Sequence, residues 1–253
     1  MALQWWQRPI ALTEALVAQH TVKLAPEPEG PREGLVKPRA AQGDAADSVG
    51  ADPITLVVVG DSLTVGCGVE RQSDGLVPDM ARSIAHVTGR PVHWRSHGRL
   101  GGTMRRARFR FLPQVEGHPD LLVLCAGSND LMARRTAKEW REDLTAAIDE
   151  AKALSDHVVV ISSGQVYRSP ALGSTLKKAI LDMTDAQTAI SRAICADRGV
   201  LFVDMTHHDT GLTDAEFWAS DNFHPSKRCY QLLADGVVDQ MGEATLRSLC
   251  RPL

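Results

Sequence analysis

The stretch ITLVVVGDSLTVGCG, residues 54–68, decides the fold of this chain. It opens with a continuous apolar run, which predicts a β-strand covered on both faces, as in a parallel sheet packed between helices. Glycine and small polar residues follow at once, and this change indicates a turn at the carboxyl end of the strand. Ligands and catalytic groups gather at that end of the strands in open α/β sheets. We therefore expect the loop over residues 60–68 to contribute to a functional site.

Further apolar runs repeat this pattern along the chain, separated by amphipathic stretches. They are LLVLCAG (121–127), HVVVIS (157–162) and GVLFVD (199–204). The segment PVHWRSH (91–97) instead begins with proline and alternates apolar with polar residues, which is typical of an edge strand. Strands that alternate with helical stretches predict an α/β fold around a parallel sheet.

The amphipathic stretches between the strands predict helices over residues 138–154 and 176–198, and a last helix that begins at Pro225. Ahead of the first of these helices, Thr136 and Glu139 have the spacing of a capping box. Each helix presents one apolar face, so each should pack against the sheet.

Length and composition are those of a globular protein. The chain has 253 residues, of which 43% are hydrophobic and 23% charged, so it can bury a sizeable core. The formal net charge of −3 provides no positive field that would attract phosphate backbones, and we expect no nucleic acid partner. Since no apolar run approaches the roughly 20 residues needed to span a bilayer, we also expect no stable membrane insertion.

Cysteine usage and the amino terminus indicate a cytoplasmic protein. The cysteines are odd in number, widely spaced and outside any C-x-x-C pair, which argues against a disulfide framework and a zinc site: Cys67, Cys125, Cys195, Cys229 and Cys250. In the amino-terminal stretch, Arg8 and Glu14 stand where a signal peptide needs an apolar run.

The first 53 residues differ in character from the rest of the chain. Residues 25–53 are rich in proline, glycine, alanine and charge, which indicates an exposed connector. Ahead of them, several large apolar residues have roughly helical spacing: Trp5, Trp6, Ile10, Leu12, Leu16 and Val17. We expect this helical segment to dock on the main domain or to mediate a homodimer. The predicted division is an N-terminal segment with its connector at 1–53 and a main domain at 54–253.

Ser62, in the turn after the first strand, is the candidate nucleophile. A serine in such a turn is more often a helix cap, so the assignment depends on partners. The stretch SDNFHPS (220–226) supplies them, because Asp221 and His224 are three residues apart and can meet within one turn. A neutral imidazole is suited to take the proton of a serine, and a carboxylate on its other nitrogen would fix the tautomer. The simpler alternative for this stretch is a helix-capping turn with a surface histidine.

Two loops are candidates to stabilise the negative charge of a tetrahedral intermediate. SHGRLGGTM (96–104) offers a glycine amide, and GSND (127–130) offers the side-chain amide of Asn129. Both loops follow predicted strands, so both should lie at the same edge of the sheet. Asp61 and Asp130 receive no role in proton transfer, and we interpret them as loop-fixing carboxylates.

The order GDS, glycine loop, G-x-N-D and D-x-x-H resembles that of the SGNH, or GDSL, hydrolase superfamily over residues 54–253. The resemblance implies that Ser62 is the nucleophile, that His224 is the base and that Asp221 orients this base. It also implies a three-layer αβα sandwich with a five-stranded parallel sheet, a flavodoxin-like arrangement.

The resemblance further implies an oxyanion hole formed by the amide of Ser62, the amide of Gly101 and the side chain of Asn129. In one respect the chain departs from the family pattern, because Ser96 stands where the glycine loop often begins with asparagine. This departure leaves Gly98 as an alternative to Gly101.

The implied activity is hydrolysis of a small-molecule ester through an acyl-enzyme, as in esterases and lipases, with no metal and no organic cofactor. The superfamily also acts on thioesters and acetylated sugars, so a thioesterase and a carbohydrate O-deacetylase are alternatives. From a different class comes the alternative of a partner-binding module with a vestigial site.

Weaker signals have simpler explanations. His207, His208 and Asp209 lack a further ligand at useful spacing, so we expect a solvated loop rather than a metal site. A group of arginines either meets an anionic substrate or forms an ordinary exposed helix face: Arg105, Arg106, Arg108 and Arg110. A group of residues near the site either forms an acyl pocket or simply packs: Val166, Tyr167, Phe217, Trp218 and Phe223.

Overall fold

One sheet organises the molecule in the computed structural model, which describes residues 4–38 and 52–249. Its strands are β1 (Glu33–Val36), β2 (Ile54–Gly60), β3 (Val92–Gly98), β4 (Leu121–Cys125), β5 (Val158–Ile161) and β6 (Leu201–Val203). Their order is β1-β3-β2-β4-β5-β6, with β2 to β6 parallel and β1 antiparallel to β3. The predicted α/β fold with a mostly parallel sheet is confirmed.

The sheet has six strands, so the prediction of five is wrong. The additional strand is β1, which lies within the stretch 25–53 that was predicted to be an exposed connector. Because β1 pairs along the outer side of β3, β3 is not the edge strand. Strand β1 is short, and its residues alternate between exposed and half-buried. A strand held at the edge of a sheet by backbone pairing leaves little apolar pattern in the sequence. Residues 39–51 of the connector lie outside the described residues.

Helices cover both faces of the sheet. They are α1 (Gln7–Thr21), α2 (Leu76–Thr88), α3 (Met104–Arg106), α4 (Ser128–Met132), α5 (Ala137–Lys152), α6 (Ser174–Arg198), α7 (Asp214–Phe217) and α8 (Lys227–Ser248). Alternate residues of β2 face different cores, as expected for a strand with a two-residue period. Leu56 and Val58 pack with α2 and α8, whereas Val57 and Val59 pack with α5 and α6. The result is the predicted three-layer αβα sandwich.

The predicted helices are confirmed as α5, α6 and α8, with one boundary corrected. Thr136 and Glu139 form the capping box of α5. The last helix begins after Ser226 rather than at Pro225, because the Ser226 side chain accepts a hydrogen bond from an amide of the first turn. Pro225 instead bridges to Trp218, and this bridge holds the end of the preceding loop.

Helix α1 packs against α6 with its small residues and leaves its large apolar residues exposed. The large apolar residues of this N-terminal segment are all exposed: Trp5, Trp6, Ile10, Leu12, Leu16 and Val17. Ala11 is buried, and the Glu14 carboxylate accepts a hydrogen bond of 2.6 Å from the Leu176 amide in the first turn of α6. A carboxylate at a helix N-terminus is favoured by the helix dipole, so Glu14 ties the two helices together. Whether the exposed side mediates a homodimer stays a prediction.

The described residues were compared with the requirements of a membrane span and of a disulfide bond. No described helix combines the length and apolar character that crossing a bilayer requires. The described cysteines are buried free thiols: Cys67, Cys125, Cys195 and Cys229. Cys250 lies outside the described residues.

Candidate active site

The loop after β2 places Ser62 at the carboxyl end of the central strands. The loop starts close to β4, where the Asp61 amide donates to the Cys125 carbonyl at 3.1 Å. A Cβ on Gly60 would lie 1.9 Å from that carbonyl oxygen, so only glycine allows this approach. Ser62 is 9% exposed, and its carbonyl accepts from the Cys67 amide at 2.9 Å, which closes the turn.

His224 and Asp221 meet within one turn in the loop before α8. Nδ1 of His224 lies 2.6 Å from Oδ2 of Asp221, and both side chains are 3% exposed. The amides of Phe223 and His224 each donate to the other carboxylate oxygen at 2.9 Å. This arrangement excludes the alternative of a surface histidine in a capping turn.

The charge of Asp221 determines which ring nitrogen of His224 faces it with a proton. Burial opposes the charged carboxylate, but hydrogen bonds from the His224 ring and from the amides of His224, Ala25 and Phe223 outweigh it. The pKa of Asp221 is consequently held well below its usual range. An ionised carboxylate can only accept hydrogen bonds, so Nδ1 of His224 carries a proton, and the tautomer of the neutral ring that this bond selects has its lone pair on Nε2.

Nε2 of His224 is buried and has no hydrogen-bond partner among the described residues. The loop of Ser62 packs directly on this histidine, since a Cβ on Gly68 would lie 2.8 Å from the His224 Cβ. Gly68 has a φ of 101°, which favours glycine. The fold thus brings the loop of Ser62 and the loop of His224 into contact. No hydrogen bond among the described residues joins the Ser62 side chain to the His224 side chain. Such bonds are often long before a substrate binds.

The glycine loop and the Asn129 loop meet beside Ser62. Nδ2 of Asn129 donates to the Gly102 carbonyl at 3.0 Å, which uses one of its two N–H groups. Gly101 has a φ of 76° and is exposed, and its amide donates to none of the described residues. Gly98, the alternative donor, is the last residue of β3 and packs against Gly60, where a Cβ would lie 2.8 Å from the carbonyl oxygen. The Gly101 amide and the second N–H of Asn129 are therefore available to a ligand.

Asp61 and Asp130 fix loops, as predicted. Oδ1 of Asp61 accepts from the Leu63 amide at 3.0 Å, and Oδ2 of Asp130 accepts from the Met104 amide at 2.9 Å. Burial is the main cause that raises the pKa of Asp61 to about 7 and that of Asp130 to about 6. The charge of Asp130 raises the pKa of Asp61 further. A substantial fraction of Asp61 is consequently protonated at neutral pH.

The N-terminal segment contributes a part of the site that was not predicted from the sequence. The Ala25 amide donates to Oδ2 of Asp221 at 2.8 Å, the same oxygen that faces the histidine. Two residues further on, Oε1 of Glu27 accepts from the Leu100 amide at 2.8 Å, next to Gly101. The only sequence signal for these contacts is a carboxylate within a proline-rich stretch, which predicts no partner.

A second pair of contacts fastens the same segment to the start of the glycine loop. Arg32 donates from Nη1 to the Gly98 carbonyl at 2.9 Å and forms an ion pair with Glu27. The Ser96 amide donates to the Arg32 carbonyl at 2.8 Å, and the Ser96 hydroxyl lies 3.4 Å from the same oxygen. The serine at this position therefore bonds to backbone, as its polar side chain allows.

The other candidate residues take structural positions. In the described part of the chain no group of metal-ligating side chains could hold an ion, and Nε2 of His207 pairs with an Asp185 oxygen at 2.8 Å. Arg108 binds Glu150 at 2.7 Å, which favours the ordinary helix face for the arginine group. Phe217 and Trp218 are buried against each other with their ring centroids 4.6 Å apart, so they pack rather than line a pocket.

Solved structures share this fold at low sequence identity. A lipase/acylhydrolase from Enterococcus faecalis is 24% identical, with a TM-score of 0.55 over 74% of this chain and 94% of that one. TesA is 21% identical, with a TM-score of 0.59 over 74% and 98%. A family 3 carbohydrate esterase from Clostridium thermocellum is 17% identical, with a TM-score of 0.61 over 79% and 100%. At these identities the likeness establishes the fold alone.

Sequence comparison adds the family. Among curated proteins no relative matched this chain. The model of the GDSL-like lipase/acylhydrolase family matches residues 58–232, which is more than half of the chain and includes every candidate site residue from Ser62 to His224. The chain therefore belongs to the GDSL-like lipase/acylhydrolase family of hydrolases.

Proposed function

We propose that this hydrolase cleaves a carboxylic ester through an acyl-enzyme, with Ser62 as nucleophile, His224 as base and Asp221 as the residue that orients the base. The observation that carries the proposal is the state of His224. Its Nδ1 is held by Asp221, and its Nε2 is buried and has no hydrogen-bond partner in the described part of the chain. The side chain of His224 packs against the loop that carries Ser62. A buried nitrogen left unpaired costs free energy, and such groups persist where function uses them.

The first step is attack on the ester carbonyl. Nε2 of His224 takes the proton of the Ser62 hydroxyl as the oxygen bonds to the carbonyl carbon, and the carbonyl π electrons move to its oxygen. The histidine becomes an imidazolium, which the ionised Asp221 stabilises without accepting its proton. The tetrahedral intermediate therefore forms without a free serine alkoxide.

The oxyanion of this intermediate needs donors that are already in place. We assign this role to the Ser62 amide, the Gly101 amide and the second N–H of Asn129. The bond between Asn129 and the Gly102 carbonyl fixes the loops that carry Asn129 and Gly101 against each other, so these two donors need little reorganisation during the reaction. The loss of one such donor typically lowers kcat by about 100- to 1,000-fold.

The remaining steps release alcohol and acid. The imidazolium gives its proton to the alkoxide leaving group as the ester C–O bond breaks, which leaves an acyl group on Ser62. Water then attacks this acyl group, with His224 taking a water proton and returning it to Ser62 as the serine C–O bond breaks. Neither half of the reaction requires a metal or an organic cofactor.

Kinetics on p-nitrophenyl butyrate test the proposal. Ser62→Ala and His224→Ala should each lower kcat by at least about 1,000-fold, because the loss of one member of a catalytic triad removes most of the rate that the whole triad provides. The matched control is Ser83→Ala, since Ser83 lies on α2 and bonds Asp235 on α8. We expect this control to retain the activity of the unmodified protein. Equal activity in all variants would contradict the proposed pair.

The structural neighbours include a carbohydrate esterase, so a separate experiment must determine which acyl groups and which leaving groups this enzyme accepts. A carbohydrate O-deacetylase should hydrolyse acetylated sugars and reject longer acyl chains. A thioesterase should prefer acyl thioesters to oxygen esters of the same acid. A partner-binding module with a vestigial site should hydrolyse none of these substrates.

We also propose that the protein acts in a reducing compartment such as the cytoplasm. The support is that the four described cysteines are buried and unbridged, and that burial raises the pKa of the Cys67, Cys195 and Cys229 thiols to about 12. Alkylation of the native and the unfolded protein tests this point. Thiols that react only after unfolding are expected, whereas disulfide-linked peptides would contradict it.

A further inference from the structure

A large apolar groove lies between α1, α4 and α6 and is not used by the steps described above. Its volume is about 1120 Å³. Apart from three arginines and two glutamines, every side chain that lines it is apolar. Ligand sites typically enclose about 300–1,000 Å³ and are lined mainly by apolar groups. The groove therefore has the size and the chemistry of a site for a long apolar ligand.

The groove reaches the catalytic residues from two sides. Phe223 lines it and precedes His224, with the two ring centroids 5.5 Å apart in an edge arrangement. Leu131 lines it as well and lies two residues after Asn129 on α4. Since successive Cα atoms are about 3.8 Å apart, the Cα atoms of Phe223 and Leu131 lie within about 8 Å of the Cα atoms of His224 and Asn129, respectively.

The N-terminal segment joins the groove to the third member of the proposed triad. Leu24 lines the groove, and the next residue, Ala25, donates its amide to Asp221. One end of the groove is thus bounded by neighbours of Asp221, His224 and Asn129. A chain that lay in the groove would therefore have one end beside these neighbours of the proposed triad and of Asn129.

The rim of the groove remains exposed. Several of its apolar side chains are accessible: Leu12 at 49%, Leu16 at 59%, Met132 at 43% and Met183 at 40%. Contiguous exposed apolar surface of this kind marks binding sites. Methionine side chains adapt to ligands of differing shape. The exposed rim therefore suits entry of a flexible apolar chain.

We propose that this groove binds the acyl chain of the substrate, so that the substrate is an ester of a medium- or long-chain fatty acid. The inference rests on the proposed ester hydrolysis and assigns the acyl specificity to α1 and α6, not to the aromatic residues between β5 and α8. Only Phe223 of that group lines the groove. Each methylene buried in the groove should raise kcat/KM roughly fourfold until the groove is filled.

Ala179→Phe tests the groove, with Ala189→Phe as its matched control. Both alanines lie on α6, but Ala179 lines the groove, whereas Ala189 is exposed and does not. The unmodified protein should prefer p-nitrophenyl dodecanoate to the acetate ester. Ala179→Phe should lower kcat/KM for dodecanoate by at least about tenfold and leave acetate within about twofold. Ala189→Phe should change neither value, and an unchanged preference in Ala179→Phe would overturn the proposal.

A binding measurement separates the groove from the chemistry. Dansyl-undecanoate fluorescence should report binding to the Ser62→Ala variant, and dodecanoate should displace the probe. The double variant Ser62→Ala, Ala179→Phe should bind the probe at least about tenfold more weakly. This result in a protein that hydrolyses no ester would support the groove and overturn only the proposed function. Hydrolysis with a flat chain-length profile and no probe binding would overturn only the groove.

The alternative to an acyl chain is that a second copy of this chain binds to the exposed rim of the groove. Sedimentation should show that Ala179→Phe leaves the oligomeric state unchanged. A dimer that Ala179→Phe dissociates, with chain-length preference unaffected, would assign the groove to an interface between copies and overturn the acyl site.

Discussion

Asp221 receives hydrogen bonds from two regions at opposite ends of the chain. Within its own loop, the amides of Phe223 and His224 donate to it, and these bonds form whenever the short turn forms. From the N-terminal segment, the Ala25 amide donates to it across 196 positions of sequence, and this bond requires the segment to lie against the sheet. The comparison separates groups that carry chemistry from groups that hold them in place. The two regions should consequently fail in different ways.

The largest effect is expected in the loop region. Asp221→Asn replaces an acceptor by an amide that can donate to Nδ1 and favour the wrong tautomer, so kcat should fall by about 1,000- to 10,000-fold. Esterase kinetics and circular dichroism of the same preparation check the result. Asp214→Asn, an exposed carboxylate on α7 that pairs with Arg168, is the control and should remain active. A comparable loss of kcat in Asp214→Asn would contradict the proposal that Asp221 in particular orients His224.

An intermediate effect is expected in the N-terminal segment. Glu27→Ala removes the acceptor of the Leu100 amide and the partner of Arg32, and the loop that carries Gly101 should loosen. We expect kcat to fall by about tenfold with KM nearly unchanged, a fraction of what loss of an oxyanion donor costs. Glu29→Ala is the matched control, because no side-chain partner of Glu29 is found among the described residues.

The conservative variant distinguishes positioning from a general role of charge. Glu27→Gln keeps an acceptor oxygen for the Leu100 amide and should recover most of kcat. If Glu27→Gln were as impaired as Glu27→Ala, the charge and not the hydrogen bond would hold the loop. If neither variant changed kcat, the N-terminal segment would have no part in the site.

The smallest effect concerns stability and depends on pH. The pKa of Asp61 is raised from 3.8 to about 7, so folding is penalised when the carboxyl is charged. The penalty is absent below the unfolded value and grows as the pH rises from about 4 to about 7. Asp61→Asn should stabilise the protein at pH 8 by about 1 kcal/mol, because an amide without partners offsets part of the gain.

Urea unfolding at pH 8 and pH 4 measures this difference. The gain of Asp61→Asn should disappear at pH 4, where the carboxyl is protonated in both states. Asp156→Asn, which replaces an exposed carboxylate before β5, should show no such dependence. A loss of stability in Asp61→Asn at both values would mean that the bond to Leu63 needs the charged carboxylate.

The parts of the molecule that the sequence predicts are those with a local physical cause. Strands β2, β4 and β5 are buried on both faces and read as apolar runs, as does β6 at the edge of the sheet, and the capping box of α5 is a four-residue pattern. The pairing of Asp221 with His224 is equally local. Strand β1 and the Ala25 contact depend instead on backbone groups, which every residue carries, and on partners far along the chain. No periodicity distinguishes them.

Helix α1 shows what helical spacing alone leaves undetermined. Its large apolar residues have helical spacing, and that spacing normally marks a buried face. In the structure the helix meets α6 through Ala11 and Glu14, and only Leu12 and Leu16 of the large apolar residues line the groove. Hydrophobic spacing predicts that a helix forms and that its apolar face is in contact with other apolar groups. It does not indicate whether those groups belong to the protein or to a ligand.

Reaction with a fluorophosphonate probe, followed by mass spectrometry of the labelled peptide, tests the central claim most directly. The account predicts one covalent adduct, on Ser62, that forms in the unmodified protein and in Ser83→Ala and is lost in Ser62→Ala. The label should form at least about 1,000-fold more slowly in His224→Ala, since the base activates the nucleophile. An adduct on another residue, or equal labelling of Ser62→Ala, would contradict the claim that Ser62 is the nucleophile.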